Sequence, residues 1–247
     1  MIRFGFFSSA LIGGGLLALA TTAREPLDGS GVPATEERDV SDVTEVSFSG
    51  IGEMTIVQGV VPSLNVTADD NVIPALETKV NGHKLIVQTR SRTSINPKTK
   101  ITYTLTIPRL ETVSVSGAGN VRTEKFVGEA LTVKLSGAGN ARLLDTNFKS
   151  LNVNVSGAGT ATASGSTEKL TLRISGAGNV EAAALKTGAA DVQISGAGNA
   201  TVWATDALKA RASGAGGVKY KGTPQVDQRV SGAGNVRAMN GQNPDQF

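Results

Sequence analysis

The chain has 247 residues, with 24 Lys and Arg against 21 Asp and Glu and a formal net charge of +3. That near balance excludes a dedicated nucleic-acid binder, and an aromatic content of 4% leaves few platforms on which bases could stack. The absence of cysteine excludes disulfide scaffolds, thiolate metal sites, cysteine nucleophiles and lipoprotein acylation, and the single histidine, His83, argues against histidine-rich metal sites.

Residues 1–23 read as a secretory signal peptide. Arg3 supplies the positive start, Phe4 to Ala20 is an uncharged run, and Ala18, Ala20 and Ala23 offer small-residue cleavage ends. A retained membrane anchor is the rival reading, but Gly13 to Gly15 interrupt a run already short for a bilayer. The expected location is therefore beyond the inner membrane: periplasm, outer-membrane surface or extracellular space. Residues 24–41, rich in Pro, Gly, Asp, Glu and Ser, read as a flexible linker.

Residues 42–110 read as less regular β structure. Val46 to Phe48 and Met54 to Ile56 alternate, Asn71 to Leu76 suggests a turn or short helix over one end, and Asn81-Gly82 is a hairpin signal. Ile101 to Ile107 alternates strongly and stops at Pro108.

From residue 111 to 239 a repeat takes over. Ser-Gly-Ala-Gly occurs seven times, starting at Ser116, Ser136, Ser156, Ser175, Ser195, Ser213 and Ser231, and these copies hold 14 of the 30 glycines. A period near 20 residues means a solenoid. One and three positions before each serine stand aliphatic residues, such as Val113 and Val115, Val133 and Leu135, Val153 and Val155, with polar residues between. Period-two alternation is a strand signature, so each repeat is one turn of a parallel β-helix with about seven coils and like side chains stacked. Gln228 stands in an otherwise aliphatic column and predicts a loosened last coil; residues 240–247 read as a frayed tail.

The repeat suggests its own corner chemistry. Two glycines would take positive φ at a tight turn, the alanine between them would point inward, and the Asn that follows most copies would form an amide ladder along the stack. An open end of such a helix exposes unpaired backbone and invites self-association.

The Phe48-Ser49-Gly50-Ile51-Gly52 opening, the Val66 to Asn71 segment, the Leu85 to Val87 strand, the Ile107-Pro108-Arg109-Leu110 junction and the serial Ser-Gly-Ala-Gly-Asn units together resemble the GIN-domain family (DUF2807), described as auto-transporter adhesin head domains. The likeness covers roughly residues 42–238. It implies an exported bacterial protein with an all-β, right-handed parallel β-helix fold, and it brings no catalytic residue set.

Two function classes compete. Polysaccharide lyases and hydrolases use β-helices, and glycoside hydrolysis needs two carboxylates on one face. Asp191 and Asp227 share an outward column two coils apart, but Lys209 stands between them. No catalytic set, cofactor site or metal site is expected: His83 belongs to a turn, Asp69-Asp70-Asn71 to a polar turn, and the motif lacks the ending of a phosphate loop. An ice-binding array is no better, because Asn152 and Asp191 interrupt the Thr112, Thr132 and Thr171 column.

The binding reading rests on the outward position two before each serine. Ser114, Lys134, Asn154, Arg173, Gln193, Arg211 and Arg229 give four cations and no acid, a stripe about 30 Å long at the usual strand spacing. Lys134, Arg173, Arg211 and Arg229 are the candidate site residues, and anionic envelope glycans or lipopolysaccharide the expected partners. Trp203 is either a sugar platform or core, since Val202 beside it must face the other way.

Overall fold

The computed structural model describes residues 25–239; the expected signal peptide and the C-terminal tail lie outside the described residues. The N-terminal part contains β1 (Leu27–Asp28), β2 (Pro33–Arg38), β3 (Glu45–Phe48), β4 (Glu53–Gln58) and β5 (Ser63–Asp69). A 3-10 turn at Ile73–Ala75 then leads to β6 (Leu76–Asn81), β7 (Lys84–Thr89), β8 (Ile95–Asn96) and β9 (Thr102–Ile107). The repeats supply β10 (Thr112–Val115), β11 (Asn120–Glu124), β12 (Val127–Leu135), β13 (Asn140–Val155), β14 (Thr160–Ile174), β15 (Asn179–Ile194), β16 (Asn199–Gly214), β17 (Gly217–Lys221), β18 (Gln225–Gly232) and β19 (Asn235–Ala238).

These strands build a parallel β-solenoid of about six turns. Seven corners delimit six complete turns, which is why the turn count is one fewer than the motif count. Each turn pairs in parallel with the next, Val113 on Val133, Val133 on Val153, Val153 on Leu172 and Leu172 on Val192. The inward residues of these columns are almost fully buried and form one continuous core, so apolar burial and backbone pairing run the length of the stack together.

The unequal repeat lengths are absorbed away from the corners. The 19-residue spacing between Ser156 and Ser175 removes one residue at the register shift between Leu143 and Thr146. The 18-residue spacing between Ser195 and Ser213 is taken up at shifts between Ala182 and Lys186 and between Thr187 and Ala189. The segments flanking the serines keep strict register, so outward side chains there stay in line.

The corners differ from the sequence expectation in two respects. Only Gly214 and Gly232 of the motif glycines have positive φ. The requirement is instead one of space between coils: a Cβ on Gly157 would overlap the carbonyl oxygen of Gly137 one turn below, and those on Gly159, Gly178 and Gly198 would overlap the carbonyls of Gly139, Gly159 and Gly178. Backbone bonds cross at the same place, from Ala158 N–H to Gly137 O at 3.2 Å and from Gly178 N–H to Gly157 O at 3.1 Å. The alanine between the glycines points outward and is exposed, and the second glycine is the buried member. An inward methyl at that corner would occupy space the tight stack has already closed.

The N-terminal part is continuous with the solenoid. β3 and β4 stack beneath β10 and β11, and β7 and β9 stack beneath β3 and β4, all in parallel. The stack is then closed by antiparallel strands: β6 on β7, β5 on β9, and β2 on β5. Phe48 and Tyr103 meet edge to face in this end, ring centres 5.4 Å apart. Burial pushes the Tyr103 hydroxyl up to about 12, against a smaller opposing pull from Arg38. The Asn71 to Leu76 segment carries the 3-10 turn and buries Ile73 and Leu76. The Asn81-Gly82 signal is realised as the β6–β7 hairpin, with Gly82 at φ 58°.

The segment 24–41 is not a free linker where it is described. β2 pairs with β5 over six residues, from Pro33 opposite Asp69 to Arg38 opposite Leu64. Its Pro and Glu residues, which read as linker chemistry, are those tolerated on the outer edge of a sheet. The segment is held by the buried Asp69 carboxylate, which accepts hydrogen bonds from Gly31 N–H and Lys98 N–H at 2.9 Å and from the Thr99 hydroxyl at 2.7 Å. Burial alone would raise the Asp69 pKa; the bonds from Thr99, Lys98 and Gly31 outweigh it and hold the group below the ordinary carboxylate value.

Two stability predictions arise here. Gly157→Ala should destabilise the protein by about 1–3 kcal/mol through overpacking between coils, whereas Ala158→Ser, on the exposed neighbour, should stay within about 0.5 kcal/mol; denaturant unfolding measures both. Because the folded-state pKa of Asp69 is depressed, its stabilisation is complete above about pH 4 and is lost as pH falls through the lower folded value. The protection of amides in residues 28–38, taken relative to their intrinsic exchange rate at each pH, should therefore fall on acidification below about pH 4, and that acid step should vanish in Asp69→Asn.

Candidate functional site

Strict register beside the corners turns alternate outward positions into straight columns. Ser114 stacks on Lys134, Lys134 on Asn154, Asn154 on Arg173, Arg173 on Gln193, Gln193 on Arg211 and Arg211 on Arg229. The four sequence-selected cations thus stand in one column, as the alternation requires.

Beside this column lies a surface groove of about 590 Å³ that runs across five turns from Asn154 to Arg229. One wall carries Arg173, Arg211 and Arg229 with the amides of Asn154 and Gln193, and the other carries the motif serines from Ser156 to Ser231. The groove exists because long guanidinium side chains stand next to a corner built of Ser, Gly and Ala. Lys134 sits one turn before the groove begins and is not among its lining residues. The serine row was not singled out as a wall from sequence, although its signal was the repeat itself.

The serine hydroxyls make only long bonds to strand ends, Ser156 to Leu135 O at 3.4 Å and Ser213 to Ile194 O at 3.5 Å. They retain acceptor and donor capacity toward a ligand. The adjacent outward column alternates in sign through Asp191, Lys209 and Asp227. Asp191 lies 3.9 Å from the Arg211 guanidinium and accepts from Gln193 Nε2 at 3.4 Å. Among the described residues, Lys134, Arg173 and Arg229 form no ion pair. The groove wall therefore carries positive charge that only Asp191 offsets by contact, in a dielectric where each such pair is individually weak.

The carboxylates weighed for catalysis line a separate hollow of about 350 Å³, where Lys209 stands between Asp191 and Asp227 in the register. That order describes a charge-alternating ladder on the outer strand face, with one cation between two carboxylates. His83 is exposed in the β6–β7 hairpin with its Nδ1 2.8 Å from Asp42 O. Among the described residues, no group of three or more His, Cys, Asp or Glu side chains converges on a point.

The ladder after the motif forms as expected. Asn140 Nδ2 donates to Asn120 Oδ1 at 2.8 Å, and Asn199 Nδ2 donates to Asn179 Oδ1 at 3.4 Å. Thr160 breaks the amide chain but its backbone N–H donates to Asn140 Oδ1 at 3.3 Å. Val202 is the inward member of its pair, and Trp203 faces outward with Lys221 Nζ 4.0 Å from its ring centre. Lys221 thus occupies one face of the indole.

Comparison with known proteins gives a consistent picture. A search of curated proteins finds no match. Among solved structures, the chain is similar to a putative adhesin from Bacteroides fragilis NCTC 9343, with 24% identity, TM-score 0.79, and coverage of 86% of this chain and 100% of that one. It is also similar to a putative lipid binding protein from Parabacteroides distasonis ATCC 8503, with 23% identity, TM-score 0.75, and coverage of 87% and 100%. A putative adhesin from Parabacteroides merdae ATCC 43184 shares 22% identity at TM-score 0.69, over 88% and 100% of the two chains. At these identities the likeness is one of fold. The family model described as "Putative auto-transporter adhesin, head GIN domain" (DUF2807) matches residues 42–224, and the chain belongs to that family.

Proposed function

We propose that this chain acts at the bacterial envelope or cell surface as an adhesin-type, non-catalytic module whose arginine-lined groove binds anionic glycan, lipopolysaccharide included, laid along the stack. The observation that carries this reading is the column from Asn154 to Arg229: three arginines, two amides and no acid form one wall of a groove five turns long. A linear polymer suits it, because the donors recur at about 4.8 Å per turn. Guanidinium groups offer paired donors to phosphate or carboxylate, and amides and serine hydroxyls offer weaker partners between them. The family description supports an adhesin-type role and a surface-facing location.

Many weak, exposed charge contacts summed along a groove predict binding that weakens with salt. Retention of the protein on immobilised lipopolysaccharide or an acidic polysaccharide should fall when ionic strength is raised. The Arg173→Glu, Arg211→Glu double variant should bind roughly tenfold more weakly, at about 0.5–1 kcal/mol per lost contact, with its unfolding transition unchanged. Unaltered retention by that variant would overturn the proposal, and depolymerisation of the ligand would favour a polysaccharide-active enzyme instead.

A further inference from the structure

The two ends of the solenoid are built differently. The N-terminal end is closed by antiparallel strands, an edge strand bearing Pro33, Glu36 and Glu37, and the buried residues Val72, Ile73 and Leu76. At the other end β18 pairs with β16 on one side, and among the described residues its second backbone edge has no ladder partner. Val226, Gln228 and Val230 continue the inward columns of Leu208, Ala210 and Ala212, yet Val230 is 44% exposed where Ala212 is buried. Among the described residues, the core columns therefore run out uncovered at this end.

The sequence of that edge is self-complementary. When a second copy of β18 lies antiparallel with Gln228 opposite Gln228, Val226 falls opposite Val230 and Asp227 opposite Arg229, each pair occurring twice. Opposed residues in an antiparallel ladder project to the same face. The valines and glutamines would then lie on the core side, with the glutamine amides able to bond one another, and the two ion pairs on the outer side. The symmetry axis runs along the sheet normal, so the interior of one solenoid meets the interior of the other.

We propose that β18 is a docking edge through which two copies of this chain join end to end about a twofold axis centred on Gln228. The partner is a second copy because the edge matches itself in charge, in apolar positions and in backbone polarity, and an isologous contact needs all three. The joint converts an exposed strand edge, an aggregation hazard, into one closed dimer, since among the described residues the edges of β18 and of β19, which pairs only with β17, lie on the same last coil and the opposite end is closed by antiparallel strands.

The test uses the full protein in sedimentation velocity across a concentration series. The natural chain should show a reversible monomer–dimer equilibrium with no larger species. Asp227→Arg and Arg229→Asp each place like charges opposite one another twice, and each should weaken the dimer at least tenfold. The double variant Asp227→Arg, Arg229→Asp restores both pairs with their signs exchanged and should recover the natural affinity to within about threefold, which a general loss of folding could not do. Opposed Cα atoms in an antiparallel ladder lie about 4.5–5.5 Å apart, within disulfide reach. Gln228→Cys, the chain's single thiol, should therefore cross-link on mild oxidation, and Asn154→Cys in the middle of the solenoid should not. A full chain that stays monomeric at every concentration would overturn the proposal. So would a dimer indifferent to both single charge reversals.

Discussion

The structure depends on how closely one coil can lie on the next. Parallel backbone pairing fixes the distance between neighbouring strands, and the corners must match it or the ladder opens. Glycine meets this requirement in the Ser-Gly-Ala-Gly units because the space over its Cα is already filled by a carbonyl oxygen from the turn below. The aliphatic columns, the Asn120–Asn140 and Asn179–Asn199 amide bonds and the outward charge columns all presuppose that spacing. A residue that opened one corner would misalign every column crossing it, so the corners govern the alignment of the outward columns as well as stability.

Function enters through repetition. No single arginine in the groove is held in a buried, hydrogen-bonded geometry; Arg211 reaches Asp191 only at 3.9 Å. The chemical content lies in spacing: strand pairing places guanidinium and amide groups in a line, with hydroxyls facing them across a trough. The proposed anionic polymer is the kind of partner that could sum contacts that are weak one at a time along such a line. The register irregularities fall between Leu143 and Thr146 or between Ala182 and Lys186, away from the groove. The line of donors is straight because the length variation is discharged elsewhere.

The ends follow a different logic from the middle. Parallel coils cannot terminate themselves, since the last strand always presents a free edge. At the N-terminal end the chain reverses direction, β5, β6 and β2 pair antiparallel, and Asp69 ties the incoming segment to the Lys98–Thr99 loop with buried hydrogen bonds. At the C-terminal end the described chain leaves β18 with inward residues exposed. Among the described residues, antiparallel closure is thus found at one end only.

Much of this was legible in the residues. Alternation such as Val113, Val115 and Val133, Leu135 allows only a strand, and a constant motif at near-constant spacing allows only stacking, so the columns, including Lys134, Arg173, Arg211 and Arg229, could be written from the sequence. Long-range geometry decided the remainder. Whether a glycine is required for its φ or for the space above it depends on a neighbour 18 to 20 residues away, and composition near Gly157 is the same in both cases. Residues 33–38 look like linker because their side chains are polar, but their place in the fold is secured by backbone pairing with β5 and by a carboxylate in another strand. The groove likewise appears only when arginines from three turns and serines from five are brought side by side. Periodicity is local and survives in sequence; close approach between distant segments is not local, and only the folded chain settles it.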